Sequence, residues 1–309
     1  MSTHWYQLWR DRRGRMSPIR LAALALLLVP VALALQAWFA HTLAPRVLND
    51  LVHRTGYWAL IFMMAALAIT PLRRSGRFGG LIDVRRMIGV GAFVYATLHI
   101  LLYIADERFD LVKVALEIVK RLYLTVGFVA WLGLLALAIT SNDAMVKRLG
   151  ALRWRRLHQV TYAVAFLSLF HFFQQTKADF TLPATITGLF GWLMVYRVVT
   201  AWKGPELSTL ALFVMTLAVS LATFLGEAAG IALWYKVSPL TVLSTVFDFE
   251  LAIRPGCYVL AAGLAVCLLD FIRSRMQPAP ERRSRRQEPV AADQVPVAGG
   301  VSLVERHRA

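Results

Sequence analysis

Cysteine is scarce in this sequence, and the scarcity excludes two kinds of protein. Only Cys257 and Cys267 occur, and no Cys-x-x-Cys-His motif is present, so a disulfide-rich domain and a cytochrome with covalently attached haem are both excluded. The two cysteines are ten residues apart in one apolar segment, too far apart on a single helix to form a disulfide. No Gly-x-Gly-x-x-Gly motif opens a helix after a strand, which argues against a nucleotide-binding domain within the chain.

Charged residues are also few, at 17% of the chain, whereas 58% of the residues are hydrophobic and the mean hydropathy is +0.57. This composition is far from that of a soluble globular protein and indicates a polytopic membrane protein. A spanning helix needs about 20 apolar residues. The sequence predicts an all-α membrane bundle of about eight such helices, at residues 19–40, 56–70, 87–105, 123–140, 157–173, 183–199, 207–226 and 251–272.

Acidic residues are outnumbered, with 18 Asp and Glu against 34 Lys and Arg, and the net charge is +16. Of the 34 basic residues, 25 fall in the terminal segments and alternate loops, at residues 1–20, 71–86, 141–157, 197–206 and 273–309. Because Lys and Arg accumulate in cytoplasmic loops, we expect both termini to be cytoplasmic. The positive charge therefore indicates contact with an anionic lipid bilayer and not with nucleic acid.

Two histidines mark the fifth apolar segment, which the sequence predicts to be one helix. His158 and His171 are 13 residues apart, so they lie about 20 Å apart along the helix axis, one near each membrane face. On an ideal helix they also point about 140° apart, and they share one face only if the helix is kinked or contains a π-bulge. An imidazole within lipid needs a polar partner, because an unsatisfied polar group there costs several kcal/mol.

His99 occurs at a matching depth on the third predicted helix. Counted from the basic side, His99 lies about 18 Å and His171 about 21 Å into the membrane. Two neutral imidazoles that face each other at one depth can fill both axial positions of a haem, an arrangement suited to electron transfer. We therefore predict haem-iron ligation by His99 and His171, with His158 marking a cofactor position near the cytoplasmic side. No catalytic residue is predicted.

Short motifs distributed over the first six predicted helices resemble a known family. They are Thr55-Gly56, Ile69-Thr70-Pro71-Leu72, Arg85-Arg86 with Gly89, Ala96-Thr97-Leu98-His99, Thr140-Ser141-Asn142, Leu149-Gly150 with Trp154, Leu157-His158 and His171. Together they resemble the MsrQ (YedZ) family of the ferric-reductase-like transmembrane superfamily, over roughly residues 20–200. The resemblance places the family's haem-ligand histidines at His99, His158 and His171.

This resemblance implies a b-type cytochrome subunit in the bacterial inner membrane. Such a subunit draws electrons from the membrane quinone pool and passes them to a periplasmic molybdenum-cofactor subunit, MsrP, which reduces methionine sulfoxide in oxidised proteins. Haem b is the implied cofactor, and family members are also described as flavoproteins that bind FMN. The superfamily often has a fourth histidine 14 residues before the one on the third helix, where this chain has Arg85, so a complete second bis-histidine site is not predicted.

Other polar residues carry a weaker signal, and a structural role is the preferred interpretation for most of them. Arginines of the basic side match haem propionates or a flavin phosphate in chemistry but are more typical of topology anchors, namely Arg85, Arg86, Arg153, Arg155 and Arg156. His53 is interpreted as a solvated residue and Glu227 as an interfacial one. Pro71 is predicted to end the second helix, because proline disrupts a helix interior.

The predicted organisation has four parts: a basic cytoplasmic segment at 1–18, a six-helix haem-binding core at 19–200, two additional helices at 201–273 and a disordered cytoplasmic tail at 274–309. Two alternatives to an electron carrier for MsrP stay open. One is a ferric-reductase-like carrier supplied by a cytoplasmic flavin reductase. The other is a cofactor-free membrane transporter or scaffold, which a b-type absorption spectrum would exclude.

Overall fold

Helices account for nearly all of the residues that the computed structural model describes, which are 9, 14–176, 179–238, 240–242 and 253–276. The helices that lie fully within these ranges are α1 (Pro18–Phe39), α2 (Val47–Ser75), α3 (Ile82–Asp106), α4 (Leu111–Lys120), α5 (Leu122–Ile139), α6 (Asp143–Leu149), α7 (Ala151–His158), α8 (Thr161–Gln175), α9 (Thr181–Lys203), α10 (Thr209–Tyr235) and α11 (Pro255–Met276). A single 3₁₀ turn, Gly79–Leu81, leads into α3. The prediction of an all-α bundle is confirmed.

Seven of these helices are long and apolar enough to cross a membrane, namely α1, α2, α3, α5, α9, α10 and α11. Each coincides with one of the eight predicted spans, and the remaining predicted span corresponds to α7 and α8 together. The segments at 71–86, 141–157 and 197–206 hold 12 Lys and Arg residues and define the basic end of the bundle. The turn at 40–46, the segment at 107–121 and the C-terminal end of α8 define its distal end.

The prediction that His158 and His171 lie on one continuous helix is wrong. His158 ends α7, and the amide nitrogens of Gln159, Val160 and Tyr162 each bond the carbonyl three residues back, at 3.0–3.1 Å. This 3₁₀ pattern advances about 120° per residue, against 100° in an α-helix. The tighter junction therefore brings the two imidazoles closer around the helix axis than the 140° separation predicted for an ideal helix.

Pro71 does not end the second helix, because α2 continues through it to Ser75. Proline has no N–H, so the carbonyl of Leu67, four residues earlier, loses its intrahelical donor. The guanidinium of Arg197 on α9 replaces that donor, with its Nη2 2.7 Å from the Leu67 oxygen. A side chain from a neighbouring helix thus compensates the break that the sequence predicted.

Helix ends follow ordinary capping rules at several points. The Asp110 carboxylate caps α4 by accepting the amide of Lys113 at 2.9 Å, and the Asn142 side chain caps α6. Gly150 and Gly204 have positive φ angles of 76° and 99°, which glycine adopts without strain, and they end α6 and α9. Helix α4 was not predicted and lies in what the sequence suggested was a loop.

Helix α2 occupies the centre of the bundle and contacts α1, α3, α8, α9 and α11. Its Phe62 is fully buried, and Leu67 is 2% exposed. Helices α10 and α11 pack against each other and against α9. Glu227 lies within α10, where its side chain is buried and a carboxylate oxygen lies 3.6 Å from the Arg254 guanidinium. Its interfacial position stays a prediction.

Some predictions fall where the structure gives no description. The tail predicted at 274–309 lies outside the described residues beyond Met276, and most of the segment 1–18 does too. The boundaries of the four predicted parts stay a prediction.

Candidate functional site

His99 lies on α3 near the distal end of the bundle and faces α2. Its Nδ1 is 2.7 Å from the backbone carbonyl oxygen of Val52. Because a carbonyl oxygen only accepts hydrogen bonds, Nδ1 carries the proton, and Nε2 keeps a free lone pair. The imidazole is therefore oriented as a ligand on its Nε2 side.

His171 repeats this arrangement on α8. Its Nδ1 is 2.8 Å from the backbone carbonyl oxygen of Tyr123, in the first turn of α5. The Tyr123 ring also stacks on the imidazole, with ring centroids 6.5 Å apart and planes 29° from parallel. The proton is again on Nδ1, so Nε2 of His171 is available to a metal.

A glycine makes room for each of these hydrogen bonds. Both accepting carbonyls belong to the residue four positions before a glycine, Gly56 on α2 and Gly127 on α5. A Cβ atom at Gly56 would lie 2.9 Å from Nδ1 of His99, and one at Gly127 would lie 2.8 Å from Cε1 of His171. Real Cβ atoms essentially never approach so closely, so any larger residue would displace the ring.

The two imidazoles face each other across a short gap. Their ring centroids are 6.2 Å apart, and their planes are 80° from parallel. A ligating imidazole nitrogen lies about 2 Å from its metal, and the ring centroid about 1 Å behind it, so two rings on opposite sides of one metal ion have centroids about 6 Å apart. The observed spacing fits two axial ligands of one haem iron.

The chemistry of the pair favours a haem over a bare ion. Among the described residues, no group of three or more His, Cys, Asp or Glu side chains converges on a possible metal position. A bare zinc site takes three or four protein ligands. A haem needs only one or two, because its macrocycle supplies the others.

The helices around the pair are tied together by a second set of hydrogen bonds. Trp131 on α5 donates from its indole nitrogen to the Thr97 hydroxyl on α3, at 3.0 Å. Such bonds between spanning helices restrict the relative movement of the two ligand-bearing walls.

His158 lies at the basic end and is held differently. The hydroxyl of Thr140 donates to the Ala136 carbonyl at 2.8 Å and lies 3.2 Å from Nε2 of His158. This contact hydrogen-bonds Nε2 of His158 to the Thr140 hydroxyl, so this Nε2, unlike that of the other two histidines, has a protein partner among the described residues. The ring also stacks on Trp154, with centroids 4.0 Å apart, and the Trp154 indole donates to the Thr140 carbonyl at 2.8 Å.

The charge around His158 is positive. Burial first, and then the cations of Arg85 and Arg86, lower the pKa of this imidazole, which lies outside the membrane-spanning helices. Arg86 forms an exposed ion pair with Asp143 at 2.6 Å. The structure therefore places Arg85 close to His158, but it does not bring His158 near the other two histidines.

Several further arginines named from the sequence point away from the bundle. Arg153, Arg155 and Arg156 are exposed, which fits their interpretation as topology anchors. His53 is exposed as well, and its Nδ1 bonds the Asn49 carbonyl one turn earlier, at 2.7 Å.

Sequence reasoning missed the residues that orient the histidines. Every residue has a backbone carbonyl, so the two accepting carbonyls could not be recognised from the sequence. Gly127 could not be recognised either, because glycine is common in membrane helices. Sequence reasoning also missed Arg197, whose guanidinium donates to the hydroxyl of Tyr162 at 3.2 Å besides the carbonyls of Leu67 and Leu193 at 2.7 Å each. One sequence signal was available for Arg197: a proline at position 71 leaves the carbonyl of Leu67 without its intrahelical donor, so a donor from another helix could have been expected.

A facing pair of imidazoles inside a bundle of membrane helices is the site expected of a haem-binding transmembrane subunit, and the comparisons with known proteins agree. Residues 55–169 match the family model of the ferric reductase like transmembrane component. The matched segment includes His99 and His158 and ends two residues before His171. No solved structure matches the chain.

The similar curated proteins are protein-methionine-sulfoxide reductase heme-binding subunits named MsrQ. The one from Herminiimonas arsenicoxydans is 42% identical over 156 residues, which make up 50% of this chain and 72% of that protein. The one from Rhodospirillum rubrum is 38% identical over 193 residues, 62% of this chain and 90% of that protein. The one from Xanthomonas campestris is 40% identical over 186 residues, 58% of this chain and 84% of that protein. The chain belongs to the MsrQ family of ferric-reductase-like membrane proteins.

Proposed function

We propose that His99 and His171 hold a b-type haem near the distal end and that the chain carries electrons across the membrane through it. The facing imidazoles support this most strongly, because each has its Nδ1 bonded to a carbonyl and its centroid 6.2 Å from the other. The relatives are named as heme-binding subunits, which supports the same cofactor.

The protein's part in this function is to fix and tune the two ligands. The carbonyls of Val52 and Tyr123 orient the rings and raise the basicity of the ligating nitrogens. A haem bound there supplies a reversible one-electron iron couple. His99 and His171 would both be used in holding the haem, so the chemistry it would supply is electron transfer and not substrate catalysis.

The donor and the acceptor are proposed from the family. The relatives are named as subunits of protein-methionine-sulfoxide reductases, and the proposed route runs from the quinone pool to the periplasmic catalytic subunit MsrP. The basic end is proposed to face the cytoplasm of a bacterium whose inner membrane holds the chain, since 25 of the chain's 34 Lys and Arg residues fall in the sequence segments predicted for that side. FMN is left out of the proposal, because the relatives' names mention haem alone.

We place a second cofactor position at His158, near the basic end. Iron ligation there would replace the hydrogen bond between Nε2 of His158 and Thr140. The guanidinium of Arg85 lies close by and matches the charge of a propionate. This position lies on the side from which the proposed electrons enter.

The experiment is a reconstitution of the full chain in liposomes. A quinol analogue should reduce the b-type spectrum, and added MsrP with methionine sulfoxide should reoxidise it. A colourless purified protein would exclude any haem function. A haem that a cytoplasmic flavin reductase reduces, and that quinol does not, would favour the ferric-reductase-like alternative suggested by the matched family model.

A further inference from the structure

Helix α4 joins the distal ends of α3 and α5 and presents an apolar surface that no described residue covers. The exposed fractions are 63% for Leu111, 72% for Val112, 51% for Leu116 and 79% for Val119. An exposed apolar patch of this kind on a helix marks a surface that contacts lipid or another protein.

The residues of α4 are segregated around the helix. At 100° per residue, the exposed apolar positions fall within an arc of about 140°, which Leu111, Val112, Ala115, Leu116 and Val119 fill. Another arc, of about 60°, holds Lys113, Glu117 and Lys120. This wide apolar face and narrow charged face are typical of a helix that lies in a membrane interface.

The orientation of α4 is fixed by contacts with the bundle. Val114 lies about 60° beyond Leu111 around the helix and is 5% exposed, so that side of α4 packs inward. Glu117 accepts a hydrogen bond from the Tyr103 hydroxyl at 2.5 Å and pairs with Arg121 at 3.1 Å. The exposed apolar face is therefore held pointing away from the protein.

We propose that this face of α4 lies among phospholipids, at the boundary between headgroups and acyl chains of the leaflet at the distal end. The apolar face continues the lipid-facing surfaces of the spans on either side, where Leu101 of α3 is 55% exposed and Leu122 of α5 is 65% exposed. The charged arc carries both signs, and its Lys113 and Glu117 already have partners within the chain. Such an arc offers no charge complementarity to a protein partner, whereas an interfacial position suits it.

The placement matters because α4 is joined to the wall of the haem site. Arg121 alone separates α4 from α5, and the Thr125 hydroxyl donates to the Ile118 carbonyl at 2.5 Å. Tyr123, whose carbonyl orients His171, lies between Arg121 and Thr125 in the sequence. If α4 is anchored in the membrane interface, it also fixes the depth of the first turn of α5 in the membrane.

Spin labelling of the full chain in phosphatidylethanolamine and phosphatidylglycerol nanodiscs tests the placement. After Cys257→Ala and Cys267→Ala, single labels are attached at Val112→Cys, Leu116→Cys and Val119→Cys, with Lys120→Cys as the matched control on the charged arc. The three apolar-face labels should collide more often with oxygen than with a water-soluble nickel complex, and the control should show the reverse. Far-UV circular dichroism and the size-exclusion elution of each variant report whether the fold is intact.

Two outcomes would overturn the proposal. If apolar-face labels meet the nickel complex as often as the control label does, the face lies in water and not in lipid. If those labels lose nickel contact only when a reductase catalytic subunit is added, the face docks a protein. The collision rates of the labels do not depend on electron transfer. A failure of this proposal can therefore be distinguished from a failure of the proposed function.

Discussion

The distal and basic ends of the bundle hold their histidines in opposite ways. At the distal end, two backbone carbonyls accept hydrogen bonds from Nδ1 of His99 and His171, and the two ring centroids lie 6.2 Å apart. At the basic end, Nε2 of His158 is bonded to Thr140, and the ring is stacked on Trp154. The comparison shows that the partner of an imidazole, more than its position in the sequence, decides whether it is presented as a ligand.

The glycines at the distal end give the largest expected effect. Gly56→Ala or Gly127→Ala would place a Cβ within 3 Å of a ligand ring and should lower haem affinity at least tenfold, about 1.4 kcal/mol. Haem content of the purified variants measures this. Gly89→Ala on α3 is the matched control, since a Cβ there meets nothing within 4 Å. Full haem content and an unshifted reduction potential in both variants would contradict the steric argument.

Arg197 should be the next most sensitive position. Arg197→Met leaves the Leu67 carbonyl without a donor and should cost about 1–3 kcal/mol of unfolding free energy, measured by denaturation in SDS. Pro71→Ala restores a backbone N–H for that carbonyl. The double variant should therefore recover part of the loss, and strictly additive effects would show that the guanidinium does not compensate the proline.

His158→Ala should have a smaller effect and leave the distal end unchanged. It should release any cofactor held at the second position; in protein without that cofactor it removes one hydrogen bond and one ring contact, so a loss of about 1 kcal/mol in unfolding free energy is expected. The absorption and low-spin signals of a haem between the other two histidines should persist, since His158 is at the opposite end. Loss of those signals would mean that the two ends are not independent.

The exposed ion pair at the basic end should matter least. Arg86 and Asp143 lie 2.6 Å apart, with 42% and 58% of their side chains exposed, and such pairs contribute at most about 1 kcal/mol. Asp143→Asn should therefore shift the thermal midpoint of the haem absorbance by a few degrees at most. A large shift at low salt that vanished at high salt would reveal a stronger electrostatic role for this end.

The sequence was sufficient to predict the bundle and the meeting of His99 and His171. Hydrophobic runs define the spans, and counting residues from the basic side gives each histidine a depth. Equal depth on neighbouring helices then brings the rings together, as the 6.2 Å spacing shows. Ligation itself stays a prediction until a spectrum is measured.

Other features depend on contacts that the sequence does not display. The continuation of α2 through Pro71 requires a donor 126 positions later, at Arg197. The 3₁₀ junction after His158 has no marker residue such as proline or glycine. Helix α4 was missed because its charged residues lower the average hydropathy, although apolar residues recur at 112, 116 and 119 with helical spacing.

The most direct measurement is the dithionite-reduced spectrum, with haem quantification, of the full chain and of His99→Ala, His171→Ala and His158→Ala. The account predicts that the first two variants lose the same b-type signal and that the third keeps it. Retention of the wild-type low-spin spectrum and haem content by either His99→Ala or His171→Ala would contradict shared ligation of one iron by these two residues.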